Sequence, residues 1–286
     1  MVTNREIASL ILLGVFIVAI LFIPGVRKSL GDIAKLIFGK HILPILLLYL
    51  AYAAGVIVLA AWLKVWDHDL LKDTILVVLL VGLPLIFNAG SAKSGVSLVR
   101  KTFAETVGVS VLLLFYINLV SLPIVAEIVL QLFVIVISTL AAFAGTDSKY
   151  RVVAKLMNGL LGLIGLGLLG FTTVNLVMTW YEQDPGLILR TLLLSIWFPL
   201  ALLPLIYLVS FYAQAQLVFV MLPFFNDRKP LPTRVRLAIV LGFHGSTRYA
   251  ASFIGEWRGR AGKLRRFKET QRLMKEYRKS LKENVL

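Results

Sequence analysis

The stretch "MNGLLGLIGLGLLGFTTVNLVMTW", from Met157 to Trp180, contains 24 residues and no charged side chain. A helix that crosses a bilayer needs about 20 predominantly apolar residues. This run is long enough to cross as one continuous α-helix. The stretch therefore predicts a transmembrane helix, and it sets the pattern for the rest of the chain.

The whole chain is as apolar as this stretch suggests. Hydrophobic residues make up 59% of it, and its mean hydropathy is +0.87, well beyond an ordinary soluble domain. The chain has no cysteine, which excludes a disulfide framework, a thiolate metal site and a cysteine nucleophile. We expect an all-α, polytopic integral membrane protein, located in the cytoplasmic (inner) membrane of a bacterium.

Seven apolar runs are candidate transmembrane helices. The third and fourth are short for a full bilayer, so the count could also be six. The runs are Ile7–Ile23, Ile42–Leu63, Thr74–Asn88, Val107–Val120, Ile124–Ala144, Leu156–Trp180, and Leu187 onward to Phe225.

The connections between these runs alternate in charge. Basic residues concentrate in every second connection and after the last run. Because basic loops face the cytoplasm, this pattern places the N-terminus outside and the C-terminus inside. Pro123 marks a hairpin between two helices, and the run from Leu187 is predicted to be one long helix kinked near Pro199 or Pro204. Splitting that run would give eight spans and send the basic C-terminus outside.

The sixth run carries a stripe of small and mildly polar residues. Four of them recur every seven residues, and Gly162 joins the same helix face. The stripe consists of Asn158, Gly162, Gly165, Thr172 and Thr179. Such a face could line a pore or an oligomer axis, with Leu169 and Leu176 as a gate that dewets. It could equally be a seam where a neighbouring helix packs closely.

Polar residues also fall in or near other runs. Glu127 and Gln131 lie one turn apart at the start of the fifth run, after Asn118 on the fourth. An ionisable residue within a membrane indicates a cation or proton path, but Glu127 follows Pro123 closely enough to reach the outer interface. Arg190 is a possible counter-charge, although snorkelling to the interface also explains it.

An acidic loop follows the second run. Asp67, His68 and Asp69 lie together, with Asp73 after them. Adjacent residues point in different directions and no second histidine is near, so a solvated loop is favoured over a metal site. No other pattern indicates catalysis, so we expect neither an enzyme nor a bound metal or cofactor.

The stretch "WRGRAGKLRRFKETQRLMKEYRK", Trp257 to Lys279, holds ten basic residues against two glutamates. We therefore divide the chain into a transmembrane domain, residues 1–225, and a basic amphipathic tail, residues 226–286. The residues expected to contact an anionic partner are Arg248, Arg258, Arg260, Lys263, Arg265, Arg266, Lys268, Arg272, Lys275, Arg278 and Lys279.

Two helices are predicted in the tail. Ser246 is a plausible N-cap for a first helix that carries Tyr249 and Trp257. The second is basic and bears a loose apolar stripe. Its members are Leu264, Phe267, Met274, Tyr277 and Leu281. Anionic lipid, nucleic acid and an acidic protein all fit the charge.

Three functions are compatible with these features. The first is an oligomeric channel or pore that passes ions or small solutes, with the tail regulating or steadying a homo-oligomer. The second is a membrane-anchoring subunit that does not transport and whose tail docks an acidic protein, nucleic acid or anionic lipid. The third is a proton- or cation-coupled transporter that depends on Glu127.

Overall fold

A computed structural model describes residues 3–39, 42–91, 94–182, 184–226 and 231–283. Regular structure in this part of the chain is helical. Six helical stretches are long and apolar enough to cross a membrane, and this confirms the prediction of a helical membrane protein. They are Asn4–Leu21, Leu43–Trp62, His68–Gly90, Ile124–Ala144, Ser148–Met178 and Pro185–Phe225.

The fifteen α-helices of the described residues are numbered in chain order. The first eight are α1 (Asn4–Leu21), α2 (Pro24–Ile37), α3 (Leu43–Trp62), α4 (Leu71–Val77), α5 (Leu83–Ser91), α6 (Gly95–Thr106), α7 (Val109–Asn118) and α8 (Ile124–Ala144). The others are α9 (Arg151–Met178), α10 (Pro185–Ala201), α11 (Leu203–Met221), α12 (Thr233–Gly242), α13 (Thr247–Ala251), α14 (Glu256–Gly262) and α15 (Phe267–Glu283).

The run Val107–Val120 differs from the prediction. Gly108 lies between α6 and α7, and α7 has only 10 residues. That helix is about 15 Å long, half the roughly 30 Å thickness of the hydrocarbon. By itself α7 is therefore too short to be the expected span.

The last apolar run has its interruption where the prolines predicted it. Pro199 lies inside α10, and Pro204 lies in the first turn of α11. Leu202 joins the two helices, and its backbone N–H donates to the carbonyls of Phe198 and Pro199, at 3.1 and 3.2 Å. Because proline has no N–H to donate and crowds the preceding turn, the regular helix is interrupted here.

The chain forms two compact units. The first comprises Met1–Pro44 and Val109–Leu192, and the second comprises Ile45–Gly108 and Leu193–Leu286. In the first unit α8 packs against α1 and α9. Ala141 and Ala144 of α8 and Ala154 of α9 are buried, and such small residues allow membrane helices to approach closely.

In the second unit, tyrosines of α3 satisfy backbone carbonyls at two helix irregularities. Tyr49 donates its hydroxyl hydrogen to the carbonyl of Val78, at 2.6 Å, where a π-helical turn begins between α4 and α5. Tyr52 donates to the carbonyl of Ala201, at 2.8 Å, beside the proline interruption. The carbonyl of Val78 also accepts from the backbone N–H of Leu83, so the hydroxyl of Tyr49 is its second donor.

Candidate functional site

The end of the chain is a folded unit rather than a loose basic tail. Helices α12–α15, which we call the C-terminal module, surround an apolar core that continues from the end of α11. The buried members of this core are Val218, Leu222, Leu231, Val235, Ile239, Phe243, Ala250, Phe253, Ala261, Leu273, Met274 and Tyr277. The short apolar run of α12 is therefore used inside the module.

Two glycines allow the helices of the module to meet at close range. A Cβ at Gly242 of α12 would lie 2.6 Å from the side chain of Met274 of α15. At Gly262 of α14 it would lie 2.9 Å from the Cβ of Phe225, in the turn that follows α11. Real side chains essentially never come so near, so both contacts require glycine.

Polar contacts attach the module to α6 and α11. The N–H of Gly95 donates to the hydroxyl of Thr247, at 3.1 Å. Tyr207 of α11 donates to the carbonyl of Gly245, at 2.9 Å, and Arg265 donates to the side chain of Asn226. These contacts join the module to the helices of its own unit.

Ser246 caps a helix, as predicted, but that helix is shorter than expected. The Ser246 hydroxyl accepts a hydrogen bond from the N–H of Tyr249, and α13 ends at Ala251. Gly255 then takes a left-handed conformation, with φ of +56°, and α14 starts after it. The expected continuous helix through Trp257 is therefore two helices separated by a glycine turn.

Helix α15 has two opposite faces. Thr270, Leu273, Met274 and Tyr277 are buried, and they lie on one side because their spacing follows the helical repeat. The opposite face, which we call the α15 stripe, consists of Lys268, Arg272, Lys275 and Lys279. All four are exposed, and at 1.5 Å per residue the stripe is about 17 Å long. Because the apolar face packs inside the module, only the charged face is presented outward.

Two of the acidic residues of the module, both on α15, lie beside other cations. Glu276 pairs with Arg260, at 2.5 Å, and Glu269 with Arg266, at 3.8 Å. Both pairs are surface pairs of small energetic value, but each places a carboxylate next to an arginine outside the α15 stripe. These two carboxylates therefore do not neutralise the stripe.

The basic residues expected to contact a partner are mostly exposed. Arg258 and Arg278 are the exceptions, since both are half-buried. Arg258 donates to the carbonyl of Phe253, at 2.5 Å, and burial lowers the pKa of its guanidinium. The exposed ones are Arg248, Arg260, Lys263, Arg265, Arg266, Lys268, Arg272, Lys275 and Lys279.

The small-residue stripe of α9 does not lie in one environment. Asn158 and Gly162 are exposed, whereas Thr172 is wholly buried. Thr172 is buried at the level where α7 contacts α9. There the hydroxyl of Tyr116 hydrogen-bonds to that of Thr173, at 2.9 Å. Gly165, Thr179 and the two leucines Leu169 and Leu176 are half-buried.

The glycines of α9 have no close neighbour within the described residues. A Cβ at Gly162 or Gly165 would meet no atom within 4 Å. A close packing seam within this chain would have placed a neighbouring helix there. In the described part of the chain, this portion of α9 is an open surface.

Glu127 is fully buried and paired, and its partner is Arg5. The Nη2 atom of Arg5 lies 3.0 Å from Oε1 of Glu127, and Nε donates to the same carboxylate at 3.1 Å. The N–H of Leu122 donates to Oε1 as well, at 2.9 Å. The carboxylate thus accepts charge-assisted bonds from α1 and from the turn that precedes α8.

The other polar residues near Glu127 extend this network. Nη1 of Arg5 donates to the side chain of Asn118, at 2.9 Å, and to the carbonyl of Ile117, at 2.8 Å. Gln131 donates to the carbonyl of Arg5 and accepts a bond from the hydroxyl of Ser9, both at 3.0 Å. Together these contacts join α1, α7 and α8 within the first unit.

Arg190 is not the counter-charge of Glu127. Its Nε donates to the carbonyl of Gly186 in its own helix, at 3.3 Å. The sequence could not distinguish Arg5 from Arg190, because both lie far from Glu127 along the chain and local spacing relates neither to it. One feature of the sequence did point to Arg5, because an arginine in the first turn of an apolar helix needs either a charged partner or a place at the membrane interface.

The acidic loop after α3 forms a local cap. Asp67 accepts from the N–H of Asp69, at 3.2 Å, and starts a short 3₁₀ turn at His68. No group of three or more metal-ligating side chains occurs among the described residues. The side-chain oxygen of Asp67 is used in this turn, as a capping aspartate ordinarily is.

Comparisons with protein families, with curated proteins and with solved structures find no match to this chain. The geometry of the C-terminal module and of α9 is therefore what indicates a function.

Proposed function

We propose that this chain is a membrane-anchoring protein without transport activity, whose C-terminal module binds anionic lipid at the cytoplasmic surface of its own membrane. The observation that carries this proposal is the α15 stripe, with four exposed cations on one helix face. The opposite face of α15 is buried in the module core. Lipid binding by this face is therefore electrostatic and needs no insertion of apolar side chains.

The charge pattern of the connections supplies the orientation for this proposal. Seven crossings with the N-terminus outside put every strongly basic connection, and the module, on the cytoplasmic side. The crossing by the run Val107–Val120 stays a prediction, because α7 by itself is too short for the hydrocarbon. The bacterial cytoplasmic membrane stays a prediction.

Lipid is favoured over nucleic acid or an acidic protein because of where the module is attached. The turn at Phe225 directly follows α11, and Gly262 and Arg265 of the module contact that turn and Asn226. The module is therefore held next to the end of the last apolar run. Basic residues near an anionic surface contribute about 1 kcal/mol each, and the effect fades within a Debye length of roughly 10 Å.

The test uses the full-length protein reconstituted in phosphatidylcholine membranes containing a trace of spin-labelled phosphatidylglycerol. Electron paramagnetic resonance measures the association of this lipid relative to spin-labelled phosphatidylcholine. The variant Lys263→Gln/Lys268→Gln/Arg272→Gln removes three exposed cations of the module. We expect preferential association in the wild type, a severalfold loss in the variant, and loss of the wild-type preference at high salt.

A matched control removes the same charge elsewhere. Lys149→Gln/Arg151→Gln/Lys155→Gln acts on the connection between α8 and α9 and on the start of α9. Equal losses in both variants would contradict a specific role for the module. An oligonucleotide that displaces the labelled lipid completely would instead make nucleic acid the partner, and its affinity would fall steeply with salt.

A second candidate is the oligomeric channel, which the open surface of α9 favours. The glycines on this surface leave room for a helix of another copy or for a water-filled path. Ion flux through liposomes would be compared for the wild type, Gly165→Leu and Gly167→Leu. Both glycines have space for a side chain, but Gly167 lies on the other face of α9. Flux that only Gly165→Leu blocks would support the channel, whereas a silent wild type would exclude it.

A further inference from the structure

We propose that the C-terminal module contains a binding pocket for a phosphate-bearing anion, formed between α15 and the turn that joins α12 to α13. This inference rests on the proposed function, because the pocket includes the distal half of the α15 stripe. The cavity measures about 400 Å³ and is lined by His244, Tyr249, Lys275, Arg278 and Lys279. Among the described residues that line it, none is acidic.

One wall of the pocket is a tight turn. His244 and Gly245 both adopt left-handed backbone conformations, with φ of +50° and +72°. For histidine this conformation is uncommon and costs energy. It reverses the chain immediately after α12, while the side chain of Phe243 is buried in the core. The exposed His244 is thereby held at the edge of the cavity.

The other wall is one turn of α15. Lys275, Arg278 and Lys279 are three and four residues apart and so occupy adjacent positions on the helix surface. Their position relative to the first wall is fixed by two hydrogen bonds. The hydroxyl of Tyr277 donates to the carbonyl of Tyr249, at 2.7 Å, and Nη1 of Arg278 donates to the carbonyl of Gly242, at 3.1 Å.

The contact of Arg278 also orients its guanidinium. Gly242 ends α12, and the carbonyl end of a helix carries partial negative charge that holds a cation. Only one of the five guanidinium N–H groups is needed for the bond to Gly242. The arginine is thus positioned by the protein while keeping donors for a ligand.

The charge of the cavity defines the class of ligand. Like charges three and four residues apart on a helix repel one another, and a bound multivalent anion would lower that repulsion. The acid closest in sequence, Glu276, pairs with Arg260. A phosphomonoester or polyphosphate, with at least two negative charges and several acceptor oxygens, matches two ammonium groups and a guanidinium better than a phosphodiester does.

The same phosphate chemistry could come from a lipid headgroup or from a soluble compound. Calorimetric titrations of the full-length protein in phosphatidylcholine nanodiscs distinguish these sources. The probes are inorganic pyrophosphate, dioctanoyl phosphatidate, which is a phosphomonoester lipid, and dioctanoyl phosphatidylglycerol, a phosphodiester lipid. Binding of pyrophosphate points to a soluble ligand, and binding of phosphatidate alone points to a headgroup.

Two charge-matched variants locate the site. Lys275→Gln/Lys279→Gln changes the pocket, whereas Lys149→Gln/Lys155→Gln changes exposed lysines outside the module. Glutamine keeps helix propensity close to that of lysine, so α15 persists in both. We expect the pocket variant to lose at least about tenfold in affinity for the phosphomonoester or pyrophosphate, and the control about twofold or less.

Two results would overturn the pocket. Equal losses in the two variants would mean that binding is diffuse, and no binding of any probe to the wild type would mean that the cavity takes no phosphate. The association of spin-labelled phosphatidylglycerol, measured on the same preparation, separates this failure from failure of the proposed function. That preference persists if only the pocket is absent, and it disappears if the module has no affinity for anionic lipid.

Discussion

Replacing Arg5 by methionine tests whether the network around Glu127 is structural. The substitution removes the Nε and Nη2 donors to Glu127 and leaves the N–H of Leu122 as its only other donor seen in the structure. The Glu127 side chain is 0% exposed and that of Arg5 is 19% exposed. Removing one partner of a buried ion pair costs about 3–5 kcal/mol. Because Arg5 is partly exposed, we expect the lower end, about 3 kcal/mol.

Two further variants separate the pair from its surroundings. Arg5→Met/Glu127→Leu removes both charges and should lie within about 1 kcal/mol of the wild type, since a buried pair can be replaced by apolar residues at little cost. Glu127→Gln keeps the shape and the acceptor oxygen, and should cost about 1–2 kcal/mol. With the single variant Glu127→Leu added, the double-mutant cycle gives the coupling energy of the pair.

The measurement is equilibrium unfolding in mixed micelles, titrated with sodium dodecyl sulfate and followed by circular dichroism. A midpoint of Arg5→Met equal to that of the wild type would refute the argument, and so would a double variant as unstable as the single one. If Glu127→Gln kept full stability but abolished proton-driven uptake, the transporter hypothesis would replace the structural role.

Three other predictions concern the second unit. Gly262→Ala would place a Cβ 2.9 Å from the Cβ of Phe225, and this overpacking should lower the unfolding free energy by about 1–3 kcal/mol. The module should then be proteolysed faster, and an unchanged rate of proteolysis would contradict the close contact. Tyr49→Phe should lower the unfolding free energy by about 0.5–1.5 kcal/mol, because the carbonyl of Val78 loses one of its two donors and keeps the N–H of Leu83; an unfolding midpoint equal to the wild type's would refute this. Burial raises the pKa of Tyr277, so the stabilising contribution of its neutral hydroxyl is complete below the unfolded pKa of about 10 and is lost as the pH rises past that value. Unfolding followed by circular dichroism should show this loss of stability. The decline of stability with pH should be flatter in Tyr277→Phe.

The C-terminal module changes how the basic end of the chain can act. An amphipathic helix with a free apolar face would insert into the membrane interface, but Met274 and Tyr277 are already buried in the module. The cations that remain on the outside therefore act through charge and through the geometry of the cavity beside Tyr249. Salt dependence and headgroup charge are the properties that measurements on this protein should vary first.

Local sequence patterns determined the class of fold. An apolar run such as Ile124–Ala144 predicts its own helix, and the structure gives α8 the same bounds, because length and hydropathy are properties of consecutive residues. The break between Pro199 and Pro204 and the cap at Ser246 were predictable for the same reason. A missing N–H and a side-chain oxygen at a helix start act within one turn.

Contacts between distant residues could be decided only by the tertiary structure. Arg5 and Glu127 are 122 positions apart, and no periodicity relates two charges on different helices. The apolar face of α15 is buried because Gly242 of α12 leaves room for Met274, and this contact could not be read from the sequence. Side-chain spacing shows which residues share a helix face, but only packing shows what that face meets. The sequence therefore determined a helical membrane protein with a basic end, and the tertiary structure decided that this end folds on a core and keeps its charge outside.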